Sequence, residues 1–530
     1  MKCGPLVALA LLLAVFVASA WRLARPHRTA SGDEARVVIR FAHSYLEAGV
    51  REAFDELARD YERLHPGVRV EQLAVPERVY LNWIITQFVG GTAPDLVQVV
   101  RGLYTDHYTR YLSSFGDQVD LPNPYNDDTA IAGGAWRDSF LDGMAGTYNE
   151  DLQDYYTVSV FPNTNRFFYN RDLLRELTGR DVPPSNYDEF LAVCVRIRER
   201  ATELSRPVVA VAGSRQHAPF LLDELFRCGT QRFGHRFDPR RLGQPDLEAA
   251  YFAYLAGDWQ LTDAAPLAAL RMVRETGLHF QTGFTQLGRE DALFAFIQGR
   301  AVMLTASSFE AHGITTLAEF PVGVAALPLP TPDHPIYGRF IAGPAWEKGA
   351  NATGGFGLTQ ASAHPKVAQD FLYFITSQQA NRRFVARTGL LPAIVGVEPT
   401  PAMAVFAPRV TGESPGFDLR SNVEVRRLTD IHLGELFGPD NAALERFAAR
   451  YAAEYGEAMR ASLVRPQRLR LRNLMRNDLA LEAARQIAMV HGASRRQDAA
   501  LVEAQNEQEL IAAHNAWRLA KLANSRNPAL

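Results

Sequence analysis

Between Arg36 and Val100 the chain alternates between two periodicities, and few folds accommodate that order. "RVVIRFA" is a short apolar run ending at His43-Ser44, the pattern of a buried strand. Val50, Phe54, Leu57, Tyr61 and Leu64 then recur at three- and four-residue spacing. That spacing predicts an amphipathic helix, stopped by His65-Pro66-Gly67. Val68 and Val70 begin a second strand. Pro76 opens a helix carrying Val79, Trp83 and Phe88, and Gly90-Gly91 closes it. "DLVQVV" makes a third strand. A helical crossover returns the chain to the same end of the sheet, so strands joined this way run parallel. The order predicts an α/β unit with helices packed on the sheet faces.

The rhythm returns further on. Tyr187 to Glu203 predicts a long helix, "PVVAVAG" a strand and Ala218 to Phe226 another helix. Helices follow around Leu267 to Glu275 and Arg289 to Gln298, then the strands "AVMLTAS", "VGVAALPLP" and "GGFGLTQ". Two more helices cover Pro365 to Thr376 and Gln379 to Arg387. At 530 residues the chain exceeds one compact core, and two α/β units are expected. Beyond about Pro439, Ala, Arg, Glu and Leu dominate and strand signals stop, which predicts two or three long helices. Arg465, Arg468, Arg470, Arg472 and Arg476 cluster there. They read either as a solvated helix face or as contact with a lipid surface or partner protein.

A net charge of −3 gives no case for nucleic acid as a partner. Lys2, the apolar run Leu6 to Val17 and Ala18-Ser19-Ala20 fit a secretory signal over residues 1–20. The run falls short of the roughly 20 residues of a membrane span. Arg22, Arg25 and Arg28 oppose export, so an uncleaved anchor, with membrane association through the N-terminus, is the other reading. Cys3 precedes the apolar run and cannot be the lipid-bearing cysteine of a lipoprotein signal. Cys194 and Cys228 are either one disulfide or two buried thiols. The sequence has no Gly-x-Ser-x-Gly elbow, phosphate loop, His-Glu-x-x-His helix or dinucleotide fingerprint. Asp117, Asp120, Asp127 and Asp128 lie among Pro, Asn and Gly, as in a solvated loop. Asp95 follows Pro94 and reads as a turn residue bonding its own backbone. No catalytic residue, metal or cofactor is expected.

In open α/β sheets, ligands sit beyond the carboxyl ends of the strands. That rule selects His43 and Ser44, Arg101 and Tyr104, and the end of the stretch "ALFAFIQGRAVMLTASSF" at Ser308 and Phe309. Each set mixes hydrogen-bonding groups with a ring or a cation, which suits a polyhydroxylated ligand with stackable C–H faces. A lone Ser or His after a strand is more often a helix cap than a ligand contact, and Phe309 alone is more often core, so the case rests on several such ends recurring.

Six segments, in order, resemble one family. They are "FDELARDYERLHPGVRVE", "GGTAPDLVQV", "TVSVFPNTNRFFYNRDLL", "PPSNYDEFLAVCVRI", "FIQGRAVMLTASSF" and "GGFGLTQASAHPKVAQDFLYFITSQQANRRFVARTGLLPA". Together they resemble the extracellular solute-binding proteins of bacterial ATP-binding-cassette importers, in the large family typified by sugar binders. The resemblance implies a two-lobe periplasmic-binding-protein fold (type II-like), with ligand in the cleft and a hinge that closes on it. It places residues 36–155 and about 325–378 in the first lobe, and 156–324 and about 379–455 in the second. It says nothing of 456–530, a helical C-terminal extension. The implied contacts are His43, Ser44, Arg101, Tyr104, Ser159, Asn165, Ser308, Phe309 and Phe356, with Trp346 in a loop near the ligand. Phe309 and Phe356 stand where the family often has Trp, and Asn186-Tyr187 where it has Thr-Trp, so Phe309 and Phe356 keep a stacking face but lose the indole N–H donor. The expected function is capture of a carbohydrate, an oligosaccharide, outside the cytoplasm and its delivery to an importer permease. The alternatives are an anchored sensor or scaffold of the same fold, with the C-terminal helices as docking element, and a secreted glycan hydrolase.

Overall fold

The computed structural model describes residues 37–524 apart from 47–48, 101–102, 104, 150–151, 153, 206, 239–244, 348–354 and 493–494. The signal or anchor segment and Cys3 lie outside the described residues. The chain runs β1 (Val37–His43), α1 (Val50–Leu64), β2 (Val68–Ala74), α2 (Glu77–Gly90) and β3 (Leu96–Gln98). β4 (Val158–Ser159), β5 (Asn165–Asn170), α3 (Tyr187–Glu203), β6 (Val209–Ala212) and α4 (Pro219–Gly229) follow. Then come α5 (Arg289–Ile297), β7 (Ala301–Ser307), β8 (Val322–Ala325), β9 (Gly355–Leu358), α6 (Pro365–Ile375) and α7 (Gln378–Thr388). The C-terminal part holds α8 (Val423–Leu436), α9 (Ala443–His491) and α10 (Arg495–Asn524). A helix over Ala264–Gly277, several shorter helices and a two-stranded sheet of Tyr148–Asn149 and Asp154–Tyr155 lie between these.

The strands form two main sheets. The first has the order β2-β1-β3-β9-β4, and β1 runs parallel to both β2 and β3 as the helical crossovers require. β9 enters antiparallel, between β3 and β4. The second sheet has the order β8-β5-β7-β6, with β7 parallel to β6 and antiparallel to β5. Each sheet carries its own core, which makes two lobes. In the first, α1 buries Val50, Ala53, Phe54, Leu57, Ala58 and Tyr61 along one stripe, while Leu64 faces solvent. In the second, Phe167, Tyr187, Phe190, Val211, Leu221, Leu225 and Met303 are packed together.

Two stretches belong to the opposite lobe from the one the resemblance implies. Tyr337 and Ile341 are buried in the core of the second lobe, with Leu327 and Leu329 against it. Ala380, Phe384, Val385, Leu390, Ala393 and Ile394 are buried in the core of the first. Gly49 shows why α7 stays there. It caps α1 at φ 85°, and a Cβ on it would lie 2.9 Å from the carbonyl oxygen of Arg387. Only glycine lets α1 start this close to the end of α7. The extension is also not a separate unit from residue 456. α9 is continuous, and its first half puts Phe447, Tyr451, Tyr455, Met459 and Leu463 into the core of the second lobe.

The chain therefore crosses between lobes at 160–164, between Ile341 and Gly355, and between Val397 and Met403. Arg166, buried on β5, ties two of these crossings together. Its guanidinium donates to both carboxylate oxygens of Glu347 at 2.8 and 3.1 Å, to the Val405 carbonyl at 2.7 Å and to the Ala407 carbonyl at 2.9 Å. Asp95 bonds across the sheet and not to its own turn. Its carboxylate accepts the Arg40 N–H at 2.8 Å and the Ser362 hydroxyl at 2.5 Å. Cys194 and Cys228 are two free, buried thiols and form no disulfide. Burial pushes the Cys228 thiol up to about 12.

Phe384 is fully buried, with its ring 5.1 Å from Phe54 and 5.7 Å from Phe161. Phe384→Ala is expected to destabilise the first lobe by about 3–5 kcal/mol in urea unfolding. A loss under about 1 kcal/mol would mean that α7 does not belong to that core.

Candidate ligand cleft

The ends of β1 and β3 make one wall. Gln98 closes β3, and its side-chain carbonyl accepts both the Ser44 N–H at 2.6 Å and the Ser44 hydroxyl at 3.0 Å. The turn after β1 is fixed by this pair. His43 lies beneath the wall, fully buried among Phe41, Tyr45, Phe54 and Phe356. Its Nδ1 accepts the Tyr45 N–H at 3.1 Å, so Nε2 carries the proton and donates to Gln72 Oε1 at 2.7 Å. Phe356 is likewise buried in the first-lobe core. His43 and Phe356 support the wall from behind and do not line its surface. Arg101 and Tyr104 lie outside the described residues.

The crossing segment and the end of β7 make the other wall. The Asn163 side-chain carbonyl accepts the hydroxyls of Ser307 and of Ser308, the latter at 2.9 Å. Ser308 N–H donates to the Thr164 carbonyl at 2.8 Å. This places Ser308 against the start of β5. Asn165, half-buried, has a side-chain oxygen with no hydrogen-bond partner among the described residues. Ser159, on β4, donates to the Phe161 carbonyl at 3.0 Å. Trp346 is half-buried, and its N–H donates to the Glu413 carbonyl at 3.0 Å in the return crossing.

Phe309 joins the walls. It follows a strand of the second lobe, yet its half-buried ring packs against the core of the first. The Arg289 guanidinium lies 5.5 Å from its ring centroid, a cation–π contact. Arg289 also donates to Glu310 at 2.8 Å and approaches Glu77, on α2 of the first lobe, to 3.8 Å. Glu310 is buried. It accepts the Ser307 N–H at 3.0 Å and pairs with His217 Nε2 at 3.1 Å. Burial alone would raise the Glu310 carboxyl, but the hydrogen bond and charge of His217 and the charge of Arg289 outweigh it and bring it to about 2. Sequence reasoning passed over Gln98, Asn163, Arg289 and Glu310. Glu310 had a legible signal, because Ser307-x-x-Glu310 is a capping box. The others are long-range partners with no local signature.

At the junction between lobes these groups put a half-buried ring and a cation beside a buried acceptor without a partner among the described residues, while the Ser44, Ser159 and Ser308 hydroxyls are donated to Gln98, Phe161 and Asn163. Ser214, His217 and Glu310 form a hydroxyl–imidazole–carboxylate chain, but all three are buried and the Ser214 hydroxyl oxygen accepts the N–H groups of Gln216 and His217, which makes it a cap on the turn before α4. Burial first of all holds the His43 imidazole down at about 4. The unfolded chain then binds a proton between pH 6.5 and 4 that the folded chain refuses, so stability falls as pH drops through that window. The cost at pH 4 is about 3 kcal/mol. His43→Gln is expected to flatten the urea-unfolding profile between these pH values, and an unchanged slope would refute the assignment.

Residues 47–382 match the family described as bacterial extracellular solute-binding protein. Solved structures share the architecture. The GacH receptor of Streptomyces glaucescens GLA.O, studied unliganded and with acarbose, is 17% identical with a TM-score of 0.56. The match covers 80% of this chain and 99% of that one. RafE of Streptococcus pneumoniae is 17% identical, with a TM-score of 0.54, over 81% of this chain and 100% of its own. MalE of Xanthomonas citri, described as a sugar-binding protein, is 18% identical, with a TM-score of 0.52, over 80% and 97%. With the family pattern over more than half its length, this chain belongs to the bacterial extracellular solute-binding proteins.

Proposed function

We propose that the protein captures a carbohydrate, an oligosaccharide, in the cleft between its lobes and delivers it to the permease subunits of an ABC transporter. The observation that carries this reading is Phe309, a half-buried ring at the lobe junction, with Asn165 on the neighbouring strand holding a buried side-chain oxygen that has no hydrogen-bond partner among the described residues. A sugar presents C–H faces to a ring and hydroxyl donors to such an acceptor. The reading draws further support from RafE, which has been solved in complex with raffinose, and from a relative described as a chitin oligosaccharide binding protein. No covalent step is assigned. Both Asp95 oxygens are engaged in structural bonds, and a hydrolase would need carboxylates free to act.

Calorimetric titration against mono- and oligosaccharides tests the reading. At least one oligosaccharide is expected to release heat and raise the melting temperature, and a silent panel would sink it. Phe309→Ala is expected to weaken that binding by roughly tenfold or more, while stability falls by only about 1 kcal/mol. Unchanged affinity with a large loss of stability would return the ring to plain core packing.

A further inference from the structure

α9 and α10 fold back on each other as an antiparallel hairpin. Gln467 donates to the Asn515 carbonyl at 3.1 Å, and Gln508 to the Leu474 carbonyl at 2.8 Å and to Asp478 at 2.9 Å. The base of the hairpin is rooted in the second lobe. Leu463 and Leu522 are buried there, Arg518 pairs with Glu248 at 2.6 Å, and Trp517 meets Phe252. Past this root α9 changes character. Leu471, Met475 and Leu479 follow at four-residue intervals, so they share one face. Met475 is 68% exposed and Leu479 74%. Toward the turn Ile487, Met489 and Val490 are exposed as well. A soluble helix normally turns such residues inward.

Charge says what fits this face. Residues 461–496 contain eight arginines against only Asp478 and Glu482, an excess of six positive charges. The whole chain is −3, so everything outside this segment is −9. Arg472, Arg476 and Arg495 are exposed beside the apolar residues. The returning helix is the reverse, with Asp498, Glu503, Glu507 and Glu509 and no Lys or Arg between residues 497 and 516. A basic, apolar edge on an otherwise acidic molecule is attracted to an anionic surface, and the rest of the molecule is turned away from it. No described helix is long and apolar enough to cross a membrane. Contact would therefore lie in the plane of the headgroups.

We propose that the α9 edge of this hairpin docks on an anionic phospholipid surface, with Met475, Leu479 and Val490 entering the interface and the arginines binding phosphate. The assignment is independent of the ligand in the cleft.

The test places an environment-sensitive fluorophore on the full chain by Leu479→Cys in a Cys3→Ser background. Cys194 and Cys228 are buried and stay unlabelled. Vesicles of phosphatidylcholine with about one-third phosphatidylglycerol are expected to shift the emission to the blue, and about 0.5 M NaCl to reverse the shift. Pure phosphatidylcholine vesicles are expected to leave it unchanged. Adding Arg472→Glu and Arg495→Glu is expected to weaken vesicle binding by roughly tenfold or more. The fluorophore reports only this segment, so attachment through the N-terminus would not mimic the result. No shift with phosphatidylglycerol, or an equal shift with pure phosphatidylcholine, would overturn the proposal. So would a blue shift that rises with protein concentration alone, which would assign the face to a second copy of the chain.

Discussion

Glu310 organises the second-lobe side of the junction. It is a carboxylate with almost no water, and such a charge is tolerated only when its oxygens are filled. Ser307 N–H, His217 and Arg289 fill them. Each of those partners fixes another part. Ser307 ends β7, His217 is bonded through Nδ1 to Ser214 in the turn before α4, and Arg289 starts α5. The end of β7, the start of α5 and the turn before α4 are thereby set around one side chain. Removing a partner would leave a buried charge exposed to a poor medium, at a cost of about 3–5 kcal/mol.

From that point the order spreads outward. Arg289, held by Glu310, is the cation over Phe309 and the residue nearest Glu77 across the junction. A second buried cation, Arg166, fixes the return crossings to β5 through Glu347 and the carbonyls of 405 and 407. The two networks differ in kind. Arg166 joins segments of one hinge region, whereas Arg289 is held tightly by Glu310 in its own lobe and approaches Glu77 of the other by a contact that is long, partly exposed and weak. A two-lobe receptor needs that division, with rigid crossings and a loose junction.

Local pattern made much of this legible. The strands and helices from Val37 to Gln98 appear in the predicted order, and the helix from Tyr187 to Glu203 and the strand from Ala301 to Ser307 keep their predicted limits. These are cases where periodicity and punctuation act over a few residues. What periodicity does not encode is which core an apolar face chooses. The helix around Phe384 and the segment around Tyr337 are locally ordinary, and their lobes are decided by Phe54 and Tyr187, far away in sequence. The site followed the same division. The ends of the strands were visible, but not whether a polar side chain there turns toward solvent or is consumed inside. His43 spends both ring nitrogens on Gln72 and Tyr45, and Ser44 is taken by Gln98. No spacing in the chain announces those partners.

Phe309 belongs to one lobe by covalent connection and to the other by packing. Whenever the lobes part, that ring and the surface beneath it must be wetted. Near room temperature the resistance to wetting is mainly the entropy of water and weakens on cooling. The junction is thus a thermal element as well as a mechanical one, gripping harder in warm water than in cold. A ligand that replaces the neighbouring lobe as cover for the ring inherits the same dependence.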